Sequence, residues 1–199
     1  MSAQPQAQMA PVELNDVQGL LRFAYKHHTQ ACFLLLRVKD REAARAWLAQ
    51  APVSSAVTLD PLPETALQVA FTREGLRALG VPADIVEDFS AEFIAGMSSD
   101  ASRVRRLGDV GTNDPSRWQW GAAQRVPHVL LLLYAMPDRL EEWQRSIDVQ
   151  CDAGFEHMAC LQTSDMDVNW GNTAYKADLD GRSSGNFTFR DSVSLAHQK

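Results

Sequence analysis

The most apolar stretch of the sequence is Pro127-His128-Val129-Leu130-Leu131-Leu132-Leu133-Tyr134-Ala135. An unbroken apolar run of this length, closed by Pro137, is typical of a buried strand. Three further runs have a similar character and predict strands near Ala31–Val38, Leu67–Phe71 and Phe155–Thr163. We therefore expect a four-stranded sheet whose third strand is His128–Tyr134.

Two amphipathic segments predict the main helices. The first is capped by Asp40, ends at Pro52 and carries on one face Ala43, Ala44, Trp47 and Leu48. The second begins at Pro137 and Asp138, ends at Gly154 and carries on one stripe Leu140, Trp143, Ile147 and Cys151. The element order is therefore β-α-β-β-α-β.

That order predicts an α+β, ferredoxin-like fold, in which an antiparallel sheet has its helices on one face. Short helices after Thr72 and Pro82 form an insertion between the second and third strands, followed by a loop over residues 103–121. The length of 199 residues suits one such domain. We assign residues 13–163 to it, with a disordered, Gln/Ala/Pro-rich segment at 1–12 and a turn-rich tail at 164–199.

Composition excludes several classes of function. The net charge of -6 provides no basic field to attract nucleic acid. No apolar run reaches the roughly 18 residues of a membrane span, and the N-terminal segment lacks the pattern of a signal peptide. The three cysteines make an odd count without a close-spaced pair, which favours a reducing compartment over a disulfide scaffold. We therefore expect a cytoplasmic protein with neither a nucleic-acid nor a membrane partner.

The sequence does not favour a metal site. His157, Cys160 and Cys151 are close in sequence, but positions three apart on a strand point to opposite faces, so the three do not easily converge on zinc. Asp178-Leu179-Asp180-Gly181 is similar to part of a calcium loop and lacks its third acid and closing glutamate. No nucleophile elbow, phosphate-binding loop or dinucleotide fingerprint occurs.

The tail contains the stretch Phe187-Thr188-Phe189-Arg190-Asp191-Ser192-Val193-Ser194, which places one acid between aromatic and small residues. Taken by itself, Asp191 fits a turn aspartate that accepts hydrogen bonds from backbone amides. Taken with the rest of the chain, the stretch resembles the Gly-x-x-Asp-Gly motif of the dye-decolourising (DyP-type) haem peroxidases. Thr188 and Ser192 stand at the two glycine positions of that motif.

Other segments resemble the N-terminal half of the same family, in the same order along the chain. They are Asp16-Val17-Gln18-Gly19-Leu20, Val69-Ala70-Phe71-Thr72-Arg73-Glu74-Gly75-Leu76-Arg77-Ala78-Leu79-Gly80, Leu107-Gly108-Asp109-Val110-Gly111 and the apolar run ending at Ala135. The resemblance extends from Asp16 to about Ser194.

The resemblance implies a peroxidase built from two ferredoxin-like halves with haem b between them. The first half supplies the distal acid–base residue, which is Asp191 here, with Ser192, Val193 and Ser194 beside the cofactor. The second half supplies the proximal histidine and a distal arginine. His197 is too close to Asp191 in sequence to be the axial ligand on the opposite haem face. The implied partners are hydrogen peroxide, a small-molecule reductant, and a second copy or a separate second-half chain.

Two hypotheses follow from these observations. In the first, the chain is the N-terminal half of a DyP-type peroxidase, and we expect little or no turnover from this chain alone. In the second, it is a degenerate, non-catalytic relative that keeps the ferredoxin-like half as an interaction module. Under either hypothesis, we expect the sheet to present an apolar face to a partner or a second copy, with Asp191 at its rim.

Overall fold

The computed structural model describes residues 12–23, 25–122 and 124–163 of the chain. Its strands are β1 (Gln30–Val38), β2 (Thr65–Phe71), β3 (Val129–Ala135) and β4 (Phe155–Gln162). Its α-helices are α1 (Arg41–Leu48), α2 (Arg73–Ala78), α3 (Ala83–Glu87), α4 (Ala91–Ala95), α5 (Ala101–Leu107) and α6 (Leu140–Cys151). Short 3₁₀ turns span Leu14–Asp16, Gly19–Leu21, Gly111–Asn113 and Pro115–Arg117.

The four strands form one antiparallel sheet in the order β2-β3-β1-β4. The two strands that are first and third along the chain therefore lie at its centre, and the other two form its edges. This order, with the β-α-β-β-α-β sequence of the main elements, is the ferredoxin-like arrangement. The predicted α+β fold is confirmed, and the four apolar runs share one sheet as expected.

One face of the sheet carries the helices and the core. On β3, alternate residues from Val129 to Ala135 are buried, which is the period-two pattern of a strand with one covered face. Phe155, at the start of β4, is fully buried and meets Trp47 of α1 edge to face, with ring centroids 5.7 Å apart. Ile147 and Cys151 of α6 are also fully buried, so the predicted apolar stripe of this helix faces the core.

Close backbone contacts explain two glycines. A β-carbon on Gly75 would overlap the backbone carbonyl of His128, and one on Gly154 would overlap the backbone of Ala44 in α1. Only glycine permits these approaches, because any other residue adds a side chain at the point of contact. Thr72 stabilises the contact between Gly75 and His128, since its hydroxyl donates to the Pro127 carbonyl (2.7 Å) and accepts from the Gly75 amide (3.1 Å).

Two residues outside the sheet form hydrogen bonds with the outer edge of β2. Gln18 comes before α1 in the chain, and Ser54 comes after it. Gln18 donates from Nε2 to the Val69 carbonyl (2.9 Å) and accepts at Oε1 from the Val69 amide (2.8 Å). Ser54 donates its amide to the Leu67 carbonyl (2.9 Å) and accepts from the Leu67 amide at Oγ (3.2 Å). These bonds satisfy backbone groups that an edge strand otherwise leaves unpaired.

Replacing Gln18 with alanine is expected to lower the free energy of unfolding by about 1–3 kcal/mol, because both backbone groups of Val69 lose their partner. Urea denaturation would measure the change. Gln50→Ala is a matched control, since the Gln50 amide makes only an exposed bond to the Ala46 carbonyl. Equal effects of the two substitutions would contradict a specific role for Gln18.

Several element boundaries differ from the sequence prediction: α1 ends at Leu48 rather than at Pro52, β2 begins at Thr65 rather than at Leu67, and α4 was not predicted. The prediction of a loop over residues 103–121 is wrong at its start, where α5 forms. Asp100 caps this helix by accepting from the amides of Ser102 and Arg103, and Gly108 ends it with a positive φ of 79°. The second main helix begins at Leu140 rather than at Pro137, because the preceding residues form a turn. The last strand ends one residue earlier than predicted, at Gln162.

Candidate functional site

The face of the sheet opposite the helices is apolar and incompletely covered. We call it the open face and define it by the half-buried residues Phe33, Leu130, Leu132, Tyr134 and Leu161. The strand register places their side chains on the same side, since Phe33 pairs with both Leu132 and Leu161, and directly opposed residues share a face.

An aromatic group covers one end of the open face. Tyr25 stacks on Tyr134 with ring centroids 4.8 Å apart and planes inclined by 16°. Phe33 meets Tyr134 edge to face at 6.1 Å, and His28 meets Tyr25 in the same manner at 5.3 Å. The Tyr25 hydroxyl accepts from Nε2 of the buried Gln68 (2.8 Å), which anchors the ring to β2.

Burial sets the protonation of this aromatic group. Burial is the main cause of the raised pKa of Tyr25, and burial also raises the pKa of Tyr134. Both phenols are therefore neutral around pH 7. The end of the open face is thus an uncharged aromatic surface.

His28 is a structural histidine. Its Nε2 lies 2.9 Å from the Pro63 carbonyl and donates to it, and its Nδ1 is buried without a partner among the described residues. Burial is the main cause that lowers the pKa of His28, so the ring is neutral at pH 7. Only 6% of the residue is exposed, which leaves no approach for an iron atom to the ring nitrogens.

Two other histidines, His128 and His157, also make structural contacts. His128 accepts at Nδ1 from the Val38 amide (3.1 Å) and holds the end of β1. His157 lies 3.4 Å from an Asp148 carboxylate oxygen, between β4 and α6. Within residues 12–23, 25–122 and 124–163, no three His, Cys, Asp or Glu side chains are arranged to hold a metal ion.

The structure brings together two cysteines that the sequence did not pair. Sγ of Cys32 lies 2.9 Å from Sγ of Cys160, although the residues are 128 positions apart. Cys151 is buried in the core and donates instead toward the Asp148 carbonyl (3.7 Å). No spacing rule could have found the pair, because it depends on the register of β1 against β4.

The residues assigned from the tail motif, Asp191, Ser192, Val193 and Ser194, lie outside the described residues. Their assignment to a haem pocket therefore stays a prediction, as does the position of Asp191 at the rim of the open face. The sequence predicted an apolar face on the sheet but did not identify the residues that form the open face. The unbroken apolar run of β3 could not identify them, because both faces of this strand are apolar and only the structure shows which alternate residues are fully buried.

Comparison with known protein families decides the classification. The family described as the DyP dimeric alpha+beta barrel domain matches residues 17–164. The chain belongs to this family. The resemblance of the N-terminal segments is thereby confirmed, and the match includes all four strands of the DyP domain.

Solved structures of DyP-type peroxidases have the same fold. A fungal DyP-type peroxidase from Auricularia auricula-judae superimposes with a TM-score of 0.64 at 23% identity, over 81% of this chain and 35% of that one. A dye-decolorizing peroxidase in complex with 2,6-dimethoxyphenol gives 0.60 at 24% identity, over 77% and 34%. An ancestral D-type dye decolorizing peroxidase gives 0.62 at 20% identity, over 78% and 35%.

The DyP domain described here thus corresponds to about a third of the length of these peroxidases. At these identities the likeness concerns the fold. No curated protein matches the chain. None of the helices in the described part of the chain has the length and apolar character needed to span a membrane.

Proposed function

We propose that this DyP domain is the N-terminal half of a haem-dependent peroxidase that oxidises organic substrates with hydrogen peroxide. The observation that carries the proposal is the family match over residues 17–164. The fold of this region is also shared with several DyP-type peroxidases. Two further features support it: the apolar open face and the acidic residue of the tail motif.

The open face suits one wall of a cleft for a flat, largely apolar macrocycle. Phe33, Leu132 and Tyr134 give it an aromatic and aliphatic surface, and the neutral phenol adds no charge. The strand residues on this face include no histidine, and His28 is enclosed by the chain itself. The described residues therefore fit a packing wall, while the axial ligand would come from the second half of the peroxidase.

Asp191 would perform the acid–base chemistry. Bound haem would supply the redox chemistry. The Asp191 carboxylate would take a proton from one oxygen of hydrogen peroxide and hold it for delivery to the departing oxygen. Ser192, Val193 and Ser194 would lie next to the cofactor. Thr188 and Ser192 stand at the glycine positions of the family motif, and they are small side chains that such a loop would accommodate.

The rest of the site would come from a second ferredoxin-like half, since this chain corresponds to about a third of the solved peroxidases. That half lies either on the same polypeptide or on a separate chain, and the family description includes a dimeric barrel, which is consistent with self-association. A small organic reductant would complete the reaction. The cytoplasm remains the proposed location.

Haem binding tests the proposal directly. The protein, together with the second half on the same polypeptide or as a separate chain, is purified with added haem, desalted and examined for a Soret band, which we expect to remain. Leu132→Glu places a charge on the open face and should abolish the band, whereas Val149→Glu, on an exposed position of α6, should leave it unchanged. Circular dichroism checks that both variants fold.

The alternative function is a non-catalytic interaction module. The observation that favours it is the open face itself, because an apolar surface of this kind also serves as a protein interface. Failure of the folded protein to retain haem when the second half is present would support this alternative. Loss of self-association in Leu132→Glu, without any haem signal in the parent protein, would establish it.

A further inference from the structure

Cys32 and Cys160 lie close together across β1 and the edge strand β4. Cys32 of β1 pairs with Gln162, and Cys160 of β4 pairs with Leu34, so the cysteines are diagonal neighbours on the helix-bearing face. Their sulfur atoms are 2.9 Å apart, and both thiols are free. A small change in side-chain torsions would bring them to bonding distance.

The two thiols differ in their access to solvent. Cys32 is fully buried, whereas Cys160 is exposed. Gln144 of α6 lies 3.7 Å from the Cys160 sulfur and also lines, with Gln162, a groove of about 640 Å³ between α6 and the ends of β1 and β4. A small polar oxidant can therefore reach one thiol of the pair and not the other.

We propose that Cys32 and Cys160 form a peroxide-oxidisable thiol pair, in which exposed Cys160 reacts first and buried Cys32 closes a disulfide. The Cys160 thiolate attacks one oxygen of hydrogen peroxide, the O–O bond breaks, and Cys160 sulfenic acid and hydroxide form. The Cys32 sulfur then attacks the Cys160 sulfur, the S–O bond breaks, and water leaves. Two thiols lose two electrons and two protons, and one peroxide becomes two waters.

The surroundings fix the order of these steps. Burial is the main cause that raises the pKa of the Cys32 thiol, and its hydrogen bond with the Cys160 sulfur adds to it. Cys32 therefore stays protonated and shielded while Cys160 meets the oxidant. Cys32 acts only when its neighbour has become an electrophile. The contact between the sulfurs then favours the disulfide over further oxidation of Cys160.

This reaction needs no haem, so it is separate from the proposed peroxidase function. The disulfide would tie β4 to β1 through residues 128 positions apart in the chain. The strand that it fixes leads directly to residue 164. Oxidation would therefore hold the last strand of the DyP domain in register, and reduction by a dithiol would release it.

The test uses the full chain without added haem, treated with a small excess of hydrogen peroxide. We expect alkylatable thiols to fall from three to one, and the intact mass to decrease by that of two hydrogen atoms. Peptide mapping should recover Cys32 linked to Cys160 within one chain, and dithiothreitol should restore all thiols. A failure here would leave the haem experiment unaffected.

Matched variants separate the three cysteines. Cys151→Ser should keep the peroxide-dependent loss of two thiols, whereas Cys160→Ser and Cys32→Ser should abolish it. Cys32→Ser should also leave Cys160 carrying added oxygen instead of a disulfide. Persistence of three thiols in the parent protein, oxygen addition to Cys160 with Cys32 free, or a bond between two chains would overturn the proposal.

Discussion

Replacing Asp191 with asparagine is expected to slow peroxide consumption by the haem-loaded protein by roughly 100- to 10,000-fold, the usual contribution of a general acid–base group. Asparagine keeps the size of the side chain but cannot take a proton from peroxide. The rate is measured by mixing the haem-loaded protein, together with any separate second-half chain, with increasing peroxide. The decay of the Soret band then gives the second-order rate constant.

Asp180→Asn is a suitable control, because it removes another carboxylate from the same tail without touching the motif. It should leave the rate within about threefold of the parent protein. The Soret band of the resting protein should be the same in both variants, which separates chemistry from cofactor loss. Full activity of Asp191→Asn would remove Asp191 from the proposed mechanism and leave the family assignment in place.

Replacing Phe155 with alanine is expected to lower the free energy of unfolding by about 3–5 kcal/mol. The side chain is fully buried at the start of β4 and packs edge to face on Trp47 of α1. Its removal leaves a cavity between the sheet and the helix that the surrounding core fills only in part. Since small domains are stable by about 5–15 kcal/mol, this loss is a large fraction of the total.

Phe89→Ala provides the matched control for that experiment, because Phe89 is 46% exposed and lies outside the core cluster. It should cost about 1 kcal/mol or less, mainly through its contact with Phe93. Urea denaturation of the two variants gives the comparison. Similar losses in both would show that Phe155 does not hold β4 against α1 as the packing indicates.

The residues that carried the family resemblance in the first half of the chain have structural roles. Gln18 closes the edge of β2, Thr72 caps α2, and Gly75 allows the close approach to His128. None of them needs a ligand to explain its presence. The resemblance in this region therefore reports the architecture of the domain, and the chemistry that we propose rests on the tail motif around Asp191.

The sequence alone determined the type and order of the main elements. The unbroken apolar run of β3 and the apolar stripe on α6 are local patterns. A short apolar run bounded by turn residues indicates a buried strand, and apolar residues spaced at the 3.6-residue period indicate a helix with one covered face. The fold class followed because one sheet is the simplest way to bury four such strands under two helices. The missed helix α5 also had a local signal, the cap Asp100 and the terminating Gly108, within a stretch that otherwise contains many turn residues.

The tertiary structure alone decided which distant side chains meet. Cys32 reaches Cys160, Tyr25 stacks on Tyr134, and Gln18 finds Val69, each across a separation that no local pattern encodes. The physical reason is register, because a shift of one residue between two strands exchanges the faces on which their side chains lie. The sequence could thus supply the thiols and the aromatic rings, but only strand pairing and packing could place them in contact.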